Sequence, residues 1–289
     1  FDIYDSNEIL LDRLRDSQSI YDYDVVFPSD HVVAALIREN LILPLDITRI
    51  PNIANLAEQW RETPFDPQNE YSVPYLWGTT SLVFNAEKVT QAPQTWMDFF
   101  TYEGKVAWLN DTRTMMSIAL SVLGYDPNSA SAEEIEAARV FLSDHAANVY
   151  EIADDNGQAL MEEGLVDMAV EYSGDIYQLV LDCECEDYIY IIPEEGTVFD
   201  LGLMVIPSRA NNPALAHAFI DYIHDPYVNA SIMNDSGYAT TNQLALESGF
   251  VYPELLDNPV INPDIGLYER SWMLQDVGTS DLIYSDEWS

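Results

Sequence analysis

Residues 164–180, GLVDMAVEYSGDIYQLV, switch from a strand periodicity to a helix periodicity within a few positions, and this constrains the fold more than any other feature. Val166, Met168, Val170 and Tyr172 alternate as a strand does, and Ser173 with Gly174 predicts a turn. Asp175 then precedes Ile176, Leu179 and Val180, which have helical spacing. A strand running almost directly into a helix belongs to an open α/β sheet, where ligands bind at the C-terminal edge of the strands. A π-face beside a carboxylate at that edge suits an organic ammonium ion, which gains cation–π attraction and a charge-assisted hydrogen bond. A core tyrosine followed by a helix-capping acid fits the same residues.

The pattern recurs. KVAWLND (105–111) reads as a strand ending at Asp111, where a helix over 112–123 begins; a plain N-cap is again the alternative. Earlier, Val25, Val26 and Phe27 predict a buried strand closed by Pro28. Ser29 stands at the N-cap of a helix with Val32, Val33, Leu36 and Ile37 on its apolar side. Asp30 in its first turn offsets the positive end of the helix dipole; bare helix N-termini favour anions, whereas a helix start that carries an acid can accept a cation. Residues 1–6 read as the end of a strand and 8–15 as a helix. YSVPYLWGTTSLVFN (71–85) predicts a strand whose Gly78 marks a crossing between two lobes.

Further strands are expected over 187–196 and 197–207, the second carrying Asp200 in an apolar run, where a carboxylate costly to bury unpaired either reaches solvent at an edge or faces a polar cleft. Ser131 and Glu134 predict a capping box. A short helix is expected over 93–100, one over 213–223 with His217 and His224 on its surface, and a last one over about 272–284. Strands alternating with helices argue for α/β layers with parallel sheets.

The charge excludes several functions. With 50 acidic and 11 basic residues the formal net charge is −39, so no basic patch exists for nucleic acid or anionic membrane. Most of this acidity is read as a salt-adapted surface. No run of 18 apolar residues offers a transmembrane span. Cys183 and Cys185 fit a disulfide, two thiols or a weak soft-metal site, and two ligands are too few for structural zinc. No G-x-S-x-G, H-E-x-x-H, Walker or G-x-G-x-x-G signature is present, and DDNG (154–157) lacks the other ligands of a calcium loop. An acid-pair hydrolase remains compatible with the carboxylates.

The motifs YDYDVVFPSD (21–30), PFDPQNEYSVPYLWGTT (64–80), MEEGLVDMAVEYSGD (161–175), PEEG (193–196), SGYATTN (236–242) and QDVG (275–278) occur in a familiar order and spacing. Together they resemble the spermidine/putrescine-binding proteins of ABC transporters. The resemblance implies a type II periplasmic-binding-protein fold: two α/β lobes joined by crossing strands, with a polyamine in the cleft between them. The lobes are expected at 1–78 plus 201–246, and 79–200 plus 247–289, with the family's first strand and helix lacking from the first. The implied function is an extracytoplasmic receptor, periplasmic or extracellular, delivering putrescine or spermidine to an ABC permease. It is expected to be a monomer and not an enzyme, with no cofactor and no metal; lipid anchoring of the full-length protein stays open. The alternative is the same fold binding another cationic solute or a metal ion.

Residue by residue, the resemblance implies a ligand role for Ser29, for His31 where a tyrosine is usual, and for Asp111. Thr114 replaces a glutamate that some members use. Tyr172 stands for a stacking tryptophan, and Asp175 matches a carboxylate of putrescine-type members. Asp200 and Gly202 occupy a Trp-x-Asp pattern, so the charge is restored two residues early and the ring is not. Tyr238 and Gln275 complete the implied set.

Overall fold

Helices and strands alternate along the computed structural model, which describes residues 2–4, 7–16, 22–154, 156–263, 266–278 and 284. In chain order these are α1 (Asn7–Arg15), α2 (Asp30–Arg38), β1 (Ser72–Asn85), α3 (Trp96–Phe100), β2 (Val106–Leu109), α4 (Thr112–Val122) and α5 (Ala132–Asp144). Then come β3 (Val149–Ala153), α6 (Gly157–Glu162), β4 (Met168–Tyr172), α7 (Ser173–Cys183), β5 (Tyr188–Ile191) and β6 (Val198–Val205). The chain continues with α8 (Pro213–Ile223), α9 (Pro226–Ser236), β7 (Ala239–Thr240), α10 (Gln243–Glu247), α11 (Pro253–Leu256) and α12 (Gly266–Arg270). It divides into two compact units, Phe1–Trp77 with Asp200–Leu256, and Gly78–Phe199 with Asp257–Ser289. The two boundaries at 77/78 and 199/200 fall inside β1 and β6, so the chain passes from one unit to the other as strand.

The second unit is built on strands in the order β3-β2-β4-β1-β5. β2 runs parallel to β3 and β4, whereas β1 is antiparallel to β4 and β5. The sheet is therefore mixed rather than parallel throughout. β1 is the strand by which the chain first arrives, with no βαβ crossover to impose a common direction. Alternation puts Leu82, Phe84, Trp108, Met168 and Val170 on one face, packed with Trp96, Phe99, Met115, Ile118 and Phe141. Val83, Ala107 and Ala169 face the other way, against Leu160, Met161, Ile176 and Leu179.

In the first unit the core joins β1, the end of β6 and α8 through Val73, Met204, Ile206, Ala216 and Ile220. β7 pairs with β1 at Leu76↔Thr240 and Trp77↔Ala239. His217 and His224 are buried here, not on the surface. His217 accepts from the Asp46 N–H at 2.9 Å through Nε2 and faces the Pro213 carbonyl at 2.6 Å through Nδ1, so it acts as a pin under α8.

Other expectations shift. Residues 25–27 contribute a single bridge, Val26↔Val205, rather than a strand, and residues 2–4 carry no regular structure. Ser131 is the N-cap residue of α5 but its side chain makes no cap bond; Ser129, two residues earlier, donates to Glu134 and accepts from the Ser131 N–H instead. Residues 272–277 are not helical: Trp272 bridges Val198, its N–H bonding the Thr197 carbonyl at 3.0 Å, and 279–283 lie outside the described residues. Residues 247–256 belong to the first unit, because Asn234 bonds the Phe250 carbonyl and the Tyr252 N–H. Cys183 and Cys185 are disulfide-bonded.

Several of the few cations tie backbone together. Arg61 donates to the Leu56 and Ala54 carbonyls, Arg209 to those of Asp16, Arg13 and Leu14, and Lys88 to those of Gly164 and Val166.

Candidate functional site

In the second unit, adjacent parallel strands deliver two strand-to-helix junctions to one sheet edge. Val106 pairs with Met168 and Ala107 with Ala169, so the C-terminal ends of β2 and β4 lie side by side. Asp111 follows the first end and Tyr172 closes the second. Asp111 is the N-cap of α4, its Oδ1 accepting from the Thr114 N–H at 2.9 Å. The plain-cap reading is thus correct as geometry, yet the residue stays half-exposed and its carboxylate keeps lone pairs to offer. Thr114 is buried, at 1% exposed.

Tyr172, not Asp175, is the N-cap residue of α7, and its side chain makes no cap bond. The expected turn at Ser173 and Gly174 is the first turn of that helix. Both residues are buried, and Ser173 Oγ accepts from the Thr79 N–H at 3.2 Å. Asp175 lies in the same turn and, like Tyr172, is half-buried. Gln275 is exposed. Its N–H donates to Asn128 at 2.8 Å and its carbonyl accepts from Arg113 at 3.0 Å, in the first turn of α4 two residues after the Asp111 cap. The Arg113 guanidinium also lies 4.5 Å above the Tyr284 ring. The second unit therefore gathers Asp111, Tyr172, Asp175 and the Gln275 segment around the starts of α4 and α7.

In the first unit, Ser29 is the N-cap of α2 but makes no cap bond. Asn7 holds it instead, donating to its Oγ at 3.0 Å and accepting from its N–H at 3.2 Å. Asp30 is fully buried and accepts from the His31 N–H at 2.7 Å. Burial raises its pKa, and His31 with the Leu201 N–H works against that rise. The His31 ring, 13% exposed, has Nδ1 3.5 Å from the Asp30 carboxylate, so it faces that acid rather than open solvent. Ser29 pairs across an antiparallel bridge with Gly202, and Asp200 projects from the same face of β6 as Gly202, half-buried. Tyr238 is half-buried between Gly237, at φ +73°, and β7. Sequence reasoning missed Tyr75, whose ring lies against Gly202, because nothing in a strand pattern says which half-buried aromatic borders a glycine.

A cavity of about 500 Å³ in the first unit, lined by Asp2, Tyr4, Asp24, Phe27, Leu215 and Phe219 among others, includes none of the expected site residues. Two of its acids are already engaged, Asp2 by Arg13 and Tyr23, and Asp24 by Asn212. Among the described residues no three of His, Cys, Asp and Glu are grouped to hold a metal ion, and no helix is long and apolar enough to cross a membrane.

The model of the bacterial extracellular solute-binding protein family matches residues 11–254. The chain belongs to that family. This solute-binding protein is 29% identical over 289 residues to the spermidine/putrescine-binding periplasmic protein of Escherichia coli, covering 99% of this chain and 82% of the relative. Among solved structures it resembles the spermidine/putrescine ABC transporter substrate-binding protein PotD of Streptococcus pneumoniae, in complex with calcium and HEPES. The TM-score is 0.85 at 28% identity, covering 99% of this chain and 87% of the other. It also resembles the TpPotD lipoprotein of Treponema pallidum, with a TM-score of 0.88, 26% identity and coverage of 99% and 89%. The fold is that of a type II periplasmic binding protein, and the family places the protein outside the cytoplasm.

Proposed function

We propose that this solute-binding protein captures a polyamine, putrescine or spermidine, and delivers it to the permease of an ABC importer, working as a monomer and without catalysis. The names of its relatives support the ligand class. The observation that carries the reading is the sheet edge of the second unit, where half-buried Asp111, Tyr172 and Asp175 follow the adjacent ends of β2 and β4. An alkyl ammonium leaving water needs a carboxylate to replace its hydration and an apolar face for its methylenes. Asp200, Ser29 and Tyr238 of the first unit supply a second set of the same chemistry.

Micromolar binding needs about 8 kcal/mol. Two charge-assisted bonds at roughly 1.5–3 kcal/mol each and ring contacts at about 0.5–2 kcal/mol each reach that range only if the acids are held in place beforehand. The cap bond on Asp111 and the helix turn around Asp175 hold them so. Titration calorimetry against putrescine, spermidine and a cationic amino acid, at low and high salt, tests the reading. Asp175→Asn is expected to weaken polyamine binding tenfold or more, with wild-type affinity largely kept in salt because a partly buried pair is screened little. Affinity that vanishes in salt, or an Asp175→Asn variant that binds normally, refutes it.

A further inference from the structure

The sequence leaves the first unit with a carboxylate at Asp200 and no ring beside it. The structure supplies one from another strand. Gly202 follows Asp200 on the same face of β6, about 7 Å along. A Cβ built on Gly202 would lie 2.9 Å from Cε1 of Tyr75, so any side chain there collides with that ring. The ring of Tyr75 is braced edge-on by Phe27, with centroids 5.3 Å apart and planes at 70°. Ser29, opposite Gly202 in the backbone bridge, presents its hydroxyl under the hold of Asn7. One glycine thus touches a ring, stands opposite a serine in the bridge and lies two residues along its strand from a carboxylate.

Tyr75 is half-buried, whereas Val73, on the same face of β1 two residues earlier, is fully enclosed. Burial raises the Tyr75 pKa, so its hydroxyl stays protonated at neutral pH. A ring beside an acid is poor equipment for an inorganic cation, which takes several oxygen ligands. It suits a cation that carries an alkyl chain, because the ring accepts both the methylenes and the charge.

We propose that Tyr75 is a ligand-contacting wall of the first unit, its ring lying along the methylenes next to an ammonium held by Asp200, and that Gly202 admits it there. This rests on the polyamine reading above. The test is calorimetry with putrescine and with spermidine on the full chain and on Tyr75→Leu, Tyr75→Phe and Gly202→Ala, with ligand-free unfolding midpoints for each. Tyr75→Leu is expected to weaken both ligands about three- to tenfold, the scale of a lost cation–π contact. Tyr75→Phe keeps the ring and should bind within about twofold of wild type. Gly202→Ala pushes the ring aside and should cost about threefold. A folded Tyr75→Leu with wild-type affinity overturns the assignment of Tyr75 alone. If that variant does not fold, unchanged affinity in Gly202→Ala overturns it instead. A wild-type protein that binds neither polyamine overturns the functional reading itself.

Discussion

Asp111 does two things that one pair of substitutions separates. Its Oδ1 caps α4 through the Thr114 N–H at 2.9 Å, and its charge is proposed to hold an ammonium. Asn at an N-cap keeps the acceptor, so Asp111→Asn retains the hydrogen bond and loses only the interaction with the helix dipole, about 0.3–1 kcal/mol. In a chain with a net charge of −39, removing one negative charge also relieves self-repulsion, which offsets part of that loss. Asp111→Ala removes the cap as well, costing about 1 kcal/mol more. Binding should respond differently. Both variants lose a charge-assisted bond of roughly 1.5–3 kcal/mol, a weakening of about ten- to a hundredfold. Urea unfolding without ligand and calorimetry with putrescine read the two effects independently. The expected result is near-native stability for Asn, reduced stability for Ala, and weakened binding in both. Asp111→Asn binding putrescine like the wild type would show that the carboxylate only caps, and would refute the reasoning.

Two further predictions concern stability. His224 is fully buried, and burial pushes its imidazole down to about 4, against about 6.5 when unfolded. The unfolded chain takes up the proton first, so this contribution is complete above about pH 6.5 and is lost as pH falls toward 4, by about 3 kcal/mol. The stability difference between wild type and His224→Leu should therefore shift by about 2.5 kcal/mol between pH 7 and 4.5 in urea titrations; a constant difference contradicts the assignment. Gly196 has φ +89°, and a Cβ there would lie 2.0 Å from the Arg270 backbone oxygen. Gly196→Ala should cost more than about 2 kcal/mol in thermal or urea unfolding, from strain and overlap together; a loss below about 0.5 kcal/mol would show that the turn relaxes.

Much of the fold was legible because period and composition report burial. β1, β4 and α8 stand where alternation and helical spacing put them, and the two strand–acid–helix junctions were visible as sequence. What escaped depends on contacts distant in the chain. His217 and His224 read as surface residues because polar side chains on an amphipathic helix usually are, but the partner of His217 lies 171 residues away. The capping box failed because Ser129, two residues earlier, takes Glu134. Val25 to Phe27 looked like a strand because apolarity shows burial, not whether a ladder extends beyond one bridge. At the site, the identity of the acids was readable. That Asp30 is enclosed, that His31 faces it, and that Tyr75 fills the space over Gly202 were not, because each follows from which backbone lies opposite.

Eleven basic residues, several of which clasp main-chain oxygens, are too few to answer most of the 50 carboxylates. Electroneutrality must then be completed by solution: the folded molecule travels inside a mantle of small counter-ions, and its cohesion should fade on desalting. An incoming polyamine must cross that mantle before it reaches the half-buried acids, so added salt should slow its approach more than it loosens its hold.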